Sequence, residues 1–363
     1  MKEGAFMRFH AVVIIEHSDT IKSGTPAAFH KILGKMVVEY CLKEIKSADP
    51  ISIYAVVEKQ EYASFLECQD VQVVVATKQD VFDKIKLHIK DDEVILAING
   101  NIAYIGDSIS QILYRASSQT RNSIFEITTA EQTINTRIDL ANATKFLQNK
   151  INTKHMINGV TIQNPENTFI SPDVEIGQDS IILTGTTIEG RTTIGECCTL
   201  GPNTQLTSMN IGYNVTIANS TCIESFVDDF TNVGPYSYLR PKSVIGKNCK
   251  IGDFVEVKNA TIGDNSKASH LSYIGDAQIG SNVNIGCGSI TVNYDGIKKY
   301  KTVIKDNAFI GCNTNLVAPI TVAEGAFTAA GSTITKDVPK DNLAIARSSQ
   351  ENKDNWAIEH FGK

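Results

Sequence analysis

Residues 170–206 read ISPDVEIGQDSIILTGTTIEGRTTIGECCTLGPNTQL. Along this stretch Ile170, Ile176, Ile182, Ile188, Ile194, Leu200 and Leu206 recur at every sixth position. A helix repeats its buried face every 3.6 residues and a strand alternates every two, so the period belongs to neither. It is the period of a hexapeptide parallel β-helix, in which three short strands per coil enclose a triangular prism with the aliphatics stacked inside. The register then slips by one, and Ile211, Ile217 and Ile223 follow. After an irregular joint come Val227, Val233, Leu239, Ile245, Ile251 and Val257, and further on Ile304, Ile310, Leu316, Val322, Thr328 and Ile334. Gly and Asn between them suit tight corners, where positive φ is common. The repeat therefore predicts a β-helix over residues 157–346. Residues 347–363 form a polar tail whose Trp356, the one tryptophan of the chain, is expected to anchor it on the prism. The main interruption, Asn293 to Lys301 (NYDGIKKYK), must leave the wall as a loop, and loops on rigid scaffolds often carry function.

Residues 1–150 read differently. Arg8–Ile15, Ser52–Glu58, Val71–Ala76 and Glu93–Ile98 are strand-like, and Met36–Lys46 and Gln79–Ile89 have helical spacing of apolar residues. The alternation predicts a parallel sheet covered by helices, with any ligand at the strand C-termini. The turn after the first strand, Glu16 to Ser23, has no glycine and carries Asp19. It is a poor cradle for a pyrophosphate, which needs backbone N–H groups to close on the anion.

The net charge of −6 weighs against a nucleic-acid partner. Residues 236–301 are the exception, with nine Lys/Arg against five Asp/Glu, a balance of 9 − 5 = +4, which suits a small phosphorylated ligand. The eight cysteines include no CxxC pair, and Cys197 and Cys198 are adjacent, which points to a reducing compartment. With no leader-like segment and no apolar run long enough for a bilayer, the expectation is a cytoplasmic protein without a membrane partner.

Chemistry-bearing residues collect in that basic stretch. His270 is the one histidine between His155 and His360, so a three-histidine zinc site on the repeat is excluded and no metal is expected there. An imidazole can serve as a general base near neutral pH. Arg240 and Lys258 lie 18 residues apart, one full coil, so they should stack on successive rungs as a pair of cations for one phosphate. Cys222, Cys249, Cys287 and Cys312 occupy small-residue slots, and a packing role is expected for the thiols.

The segments YLRP, GDFVEVK, KASHLSYIGDA, NVNIG, TVNYDG and NLVAPITV closely resemble the bacterial bifunctional N-acetylglucosamine-1-phosphate uridyltransferase/glucosamine-1-phosphate N-acetyltransferase family, densely over residues 231–350 and more loosely over 157–230. The resemblance implies a homotrimer of left-handed β-helices that moves acetyl from acetyl-CoA to the amine of glucosamine 1-phosphate, for UDP-N-acetylglucosamine and cell-wall synthesis. By position it makes His270 the general base and puts Arg240 and Lys258 on the sugar phosphate, with Tyr273 and Asn284 on the sugar. It places Cys287 (through its backbone), Asn293, Tyr294, Cys312, Ala330 and Arg347 along acetyl-CoA. The family usually has Ala where Cys287 stands and Ser where Cys312 stands. A backbone donor tolerates the first change; at the second a thiol replaces a better hydrogen-bonding hydroxyl.

Residues 1–150 resemble the family's nucleotidyltransferase domain in outline alone: shortened, and degenerate at its chemistry. The family's arginine position is Thr20, the lysine after the proline is Ala27, and the first metal-binding Asp is Asn101, while the second metal residue is kept as Asn135. Mg²⁺ would be needed only if this domain were active. The expectation is an acetyltransferase without uridyl transfer. Its alternatives are an enzyme that retains both activities and a non-catalytic trimeric binding protein.

Overall fold

The computed structural model describes residues 8–362 apart from 19–20, 87–88, 91–92, 106–108, 117–122 and 129. The chain divides into two compact units, Met1–Ile151 and Asn152–Lys363.

The first unit is built on a five-stranded parallel sheet. Its strands run in the order Gln72–Val75, Ser52–Val57, Arg8–Ile15, Glu93–Asn99, Ile124–Ile127. The central strand is buried on both faces, which explains its apolar run from Ala11 to Ile15. Phe9, Ala11, Val13 and Ile15 pack with Val38, Cys41, Leu42 and Ile45 of the helix Val37–Ser47. Val12 and Ile14 face the other way, toward Val81, Phe82 and Ile85 of the helix Lys78–Lys86. The four strands and two helices expected from the sequence are all present, shifted by a few residues at their ends. Of the turn after the first strand, Asp19 and Thr20 lie outside the described residues. Ile21 and Lys22 beside them adopt positive φ without glycine. The start of the turn is tied down: His17 N–H donates to Glu58 Oε2 at 2.9 Å, and its ring contacts Tyr62 Oη at 2.7 Å and Lys59 Nζ at 3.0 Å.

The second unit is the parallel β-helix that the repeat predicts. Strands of two or three residues pair with their counterparts on the next coil, Thr187–Glu189 with Gln205–Thr207, for example, and Phe226–Val227 with Val244–Ile245. Ile170, Ile182, Ile188, Leu200, Leu206, Ile245, Ile251, Val257 and Ile310 are fully buried inside, each such side chain contributing roughly 1.5–3 kcal/mol. One inward position departs from the expected register. Cys222, not Ile223, pairs with Leu206 and is fully buried. The coil from Leu206 to Cys222 spans 16 residues where the one before it, from Ile188 to Leu206, spans 18, and burial pushes the pKa of that thiol up to about 12. Corner residues at positive φ include Asn203, Asn219, Asn248, Asn265 and Asn313, as the composition of the repeat implies. Buried hydroxyls near the corners donate to carbonyls of the next coil, such as Ser237 to Gly252 O at 2.6 Å and Ser243 to Val257 O at 3.0 Å, which spares them the cost of burial unpaired; the buried Thr302 hydroxyl is an exception, with no partner among the described residues.

The tail ends in a short helix, Trp356–Phe361. The expected anchor gives way to a local cluster: Trp356 is 44% exposed and stacks on His360 at 4.2 Å, with Phe361 edge-on. Among the described residues no helix is long and apolar enough to cross a membrane.

Candidate active site

Two strands longer than the rest carry the site. Lys250–Lys258 and Lys267–Gly275 each run along one prism face, turn a corner and continue on the next. Their corner is at Asp253 and His270, which are register partners. His270 is exposed, and its Nδ1 lies 3.1 Å from Asp253 Oδ1.

The edge above that corner is ordered by register. Ala268, Ile285, Ile310 and Thr328 pair in succession, and two residues beyond each stand His270, Cys287, Cys312 and Ala330, one per coil. The next residues are stitched together. Gly288 N–H donates to Leu271 O, Asn313 N–H to Cys287 O and Gly331 N–H to Cys312 O, at 2.7–2.8 Å. The N–H groups of Cys287, Cys312 and Ala330 have no acceptor among the described residues. Cys287 and Cys312 are exposed, so the packing role expected for their thiols is corrected: only Cys222 and Cys249 of the four are buried. Arg347 continues the edge, its Cδ 3.8 Å from where a Cβ on Gly331 would stand.

The neighbouring edge holds the cations. Leu239 and Val257 pair, so Arg240 and Lys258, the residues that follow them, occupy successive coils as their spacing implies. Arg240 Nη1 donates to Glu256 Oε1 at 2.8 Å, which holds the guanidinium above its ordinary range. Lys258 Nζ donates to Asp276 Oδ2 at 3.3 Å. Asn259 donates to the same carboxylate at 2.6 Å, and Asn293 Nδ2 donates to it as well. Burial alone would raise the Asp276 pKa, but these three donors outweigh it and hold the carboxyl below its usual range.

The Asn293–Lys301 segment does leave the wall, pinched by an antiparallel bridge between Tyr294 and Lys299. It returns a third cation that sequence reasoning did not assign. Lys299 interacts with Lys258, which depresses it, with Arg240 adding repulsion. Lys258 is held above its ordinary range by Lys299 and by Asp276. Tyr273 projects from the face between the two edges, in the ladder Tyr238, Glu256, Tyr273, Ile290. Its hydroxyl lies over Gly275: a Cβ there would come within 2.3 Å of Tyr273 Oη and 2.8 Å of Asn293 Nδ2.

The structure therefore brings Arg240, Lys258, Tyr273 and Asn293 together, with Tyr294 in the adjoining loop. It aligns His270, Cys287, Cys312, Ala330 and Arg347 on the other edge of the same face. Asn284 is apart from both groups, on the preceding face between Lys267 and Phe309. Sequence reasoning missed Glu256, Asp276 and Lys299, which act through contacts that spacing alone does not reveal.

Known proteins resemble part of this chain. The family model described as the GMPPB C-terminal domain matches residues 221–319. The bifunctional protein GlmU of Clostridium botulinum is 55% identical over 223 residues, 61% of this chain and 49% of that protein. GlmU of Clostridioides difficile is 56% identical over the same length and shares. Over that length the chain is similar to GlmU proteins. It spans about half the length of the GlmU proteins it matches. Among solved structures, one titled UDP-N-acetylglucosamine acyltransferase from Campylobacter jejuni matches 56% of this chain and 76% of that one, at 18% identity and a TM-score of 0.35.

Proposed function

We propose that this chain transfers acetyl from acetyl-CoA to the amine of glucosamine 1-phosphate, as a homotrimer, and feeds UDP-N-acetylglucosamine synthesis. The observation that carries this reading is a base and an oxyanion donor on adjacent coils of one edge. They are the exposed His270 imidazole and the unpaired N–H of Cys287. The similarity to GlmU supports the choice of substrates.

In this reading Arg240, Lys258 and Lys299 take the sugar phosphate, and Tyr273 contacts the ring. Asn284 contacts it from the adjoining face. Asn293, Tyr294, Cys312, Ala330 and Arg347 line the coenzyme. The amine attacks the thioester carbonyl while His270 accepts its proton. The Cys287 N–H stabilises the tetrahedral oxyanion. Collapse then breaks the carbon–sulfur bond and releases the coenzyme thiol, which takes the proton. No nucleophilic side chain is required, and placement on a rigid prism supplies much of the remainder.

The first unit, in the same reading, has lost uridyl transfer. Asn101 and Asn135, the positions likened to metal ligands, are neutral amides 3.3 Å apart, with Asn101 Nδ2 also donating to Ile134 O. Ala27 is fully buried in a core with Ile32, Val37 and Ile134 and offers no cation. Phosphoryl transfer consists largely of charge neutralisation and metal positioning, and little of either is left. The test is thiol release from acetyl-CoA by the purified chain. Glucosamine 1-phosphate should support turnover and glucose 1-phosphate, which lacks the amine, should not. Equal rates with both would overturn the reading.

A further inference from the structure

We propose that Asp253 is a positioning residue that locks His270 in the Nδ1–H tautomer, so that Nε2 faces the reacting amine as a free base. The inference rests on His270 being the base. Asp253 and His270 are register partners on adjacent coils, and the Oδ1–Nδ1 distance is 3.1 Å. An ionised carboxylate only accepts hydrogen bonds, so the ring nitrogen facing it must carry the proton. The other nitrogen then has a free lone pair. The hydrogen bond made by one imidazole nitrogen sets the state of the other.

An unconstrained neutral imidazole favours the opposite tautomer, with the proton on Nε2, which cannot accept one from the substrate. The ring also sits at a turning corner, where Leu271 has positive φ and Phe254 and Leu271 are exposed. Packing does little to orient it, and the carboxylate is its one hydrogen-bonding partner among the described residues. The buried Asp–His pairs of hydrolases are worth about 10⁴-fold in rate. Here the side chains are 43% and 59% exposed, so water competes, and a loss of about 10- to 100-fold is expected.

Asp253→Ala and Asp253→Asn are the variants, made in the full chain. The asparagine keeps the shape but can donate to Nδ1, which favours the wrong tautomer. Ring ¹⁵N shifts of His270, assigned by subtraction with His270→Gln, read the tautomer directly at a pH where the imidazole is neutral. The expected result is Nδ1–H in the parent and Nε2–H in Asp253→Ala. In both variants kcat should fall by about 10- to 100-fold, with both KM values within about twofold. An Nδ1–H signal that survives Asp253→Ala, or a kcat within twofold of the parent, would overturn the inference. If His270→Gln itself retains full kcat, the acetyltransferase reading of His270 fails first, and the tautomer measurement still reports on the Asp253 contact.

Discussion

Gly275→Ala should damage both substrate sites from a position that touches neither substrate through a side chain. Gly275 does not occupy left-handed backbone, so alanine is conformationally allowed there. The obstruction is steric. The new Cβ would stand 2.3 Å from Tyr273 Oη, 2.5 Å from Cζ and 2.8 Å from Asn293 Nδ2, where ordinary contact begins at 3.4 Å. The hydroxyl must therefore retreat by 3.4 − 2.3 = 1.1 Å. Tyr273 swings as a rigid ring from β-sheet backbone, so the whole ring moves with it. Asn293 must move too, which loosens its bond to Asp276 and with it the support of Lys258. A displacement of about 1 Å can cost about 10²-fold, and kcat/KM should fall by about that factor. Overpacking costs roughly 1–3 kcal/mol of stability, which the long β-helix should survive. Steady-state kinetics should be read beside a thermal unfolding curve. A folded variant with kcat/KM within threefold of the parent would refute the placement of Tyr273 and Asn293 in the site.

Three further outcomes follow from the same geometry. His270→Ala should keep the oligomer and slow acetyl transfer by about 10²–10⁴-fold; near-parental kcat in steady-state assays would remove His270 from the chemistry. Lys258→Ala should raise KM for glucosamine 1-phosphate by about 10-fold while KM for acetyl-CoA stays within about twofold. That is the low end for a hydrogen bond to a charged group, because Arg240 and Lys299 remain to hold the phosphate. Lys299 itself is held below the ordinary lysine range by Lys258, so it is protonated at lower pH and loses its charge early as pH rises. KM for the sugar phosphate should climb on that alkaline limb, and Lys258→Ala should move the limb to higher pH; a pH-rate profile with no such movement would contradict the coupling.

The prism was legible because its inward positions form a strict period over many coils, and burial enforces that period. The misplacement at Ile223 shows the limit: Cys222 is small and apolar enough to fill the slot, and a step shortened by one residue after Ile217 flips which side chain points inward. Arg240 and Lys258 could be placed because register turns 18 residues into one coil. Lys299 could not, since it returns through a loop whose path is set by the Tyr294 bridge and by Asp295, which accepts the N–H groups of Ile297 and Lys298. Glu256 and Asp276 looked like ordinary surface acids, and only their contacts with Arg240, Lys258 and Asn293 show what they orient. The long helix Arg137–Ile157 escaped notice because its apolar residues are not gathered on one face.

The most direct measurement supplies the purified chain with acetyl-CoA, glucosamine 1-phosphate, UTP and Mg²⁺ together and identifies the products by mass spectrometry. N-acetylglucosamine 1-phosphate should accumulate and no UDP-N-acetylglucosamine should form. Appearance of the UDP-sugar, or absence of the acetylated sugar phosphate, would contradict this reading.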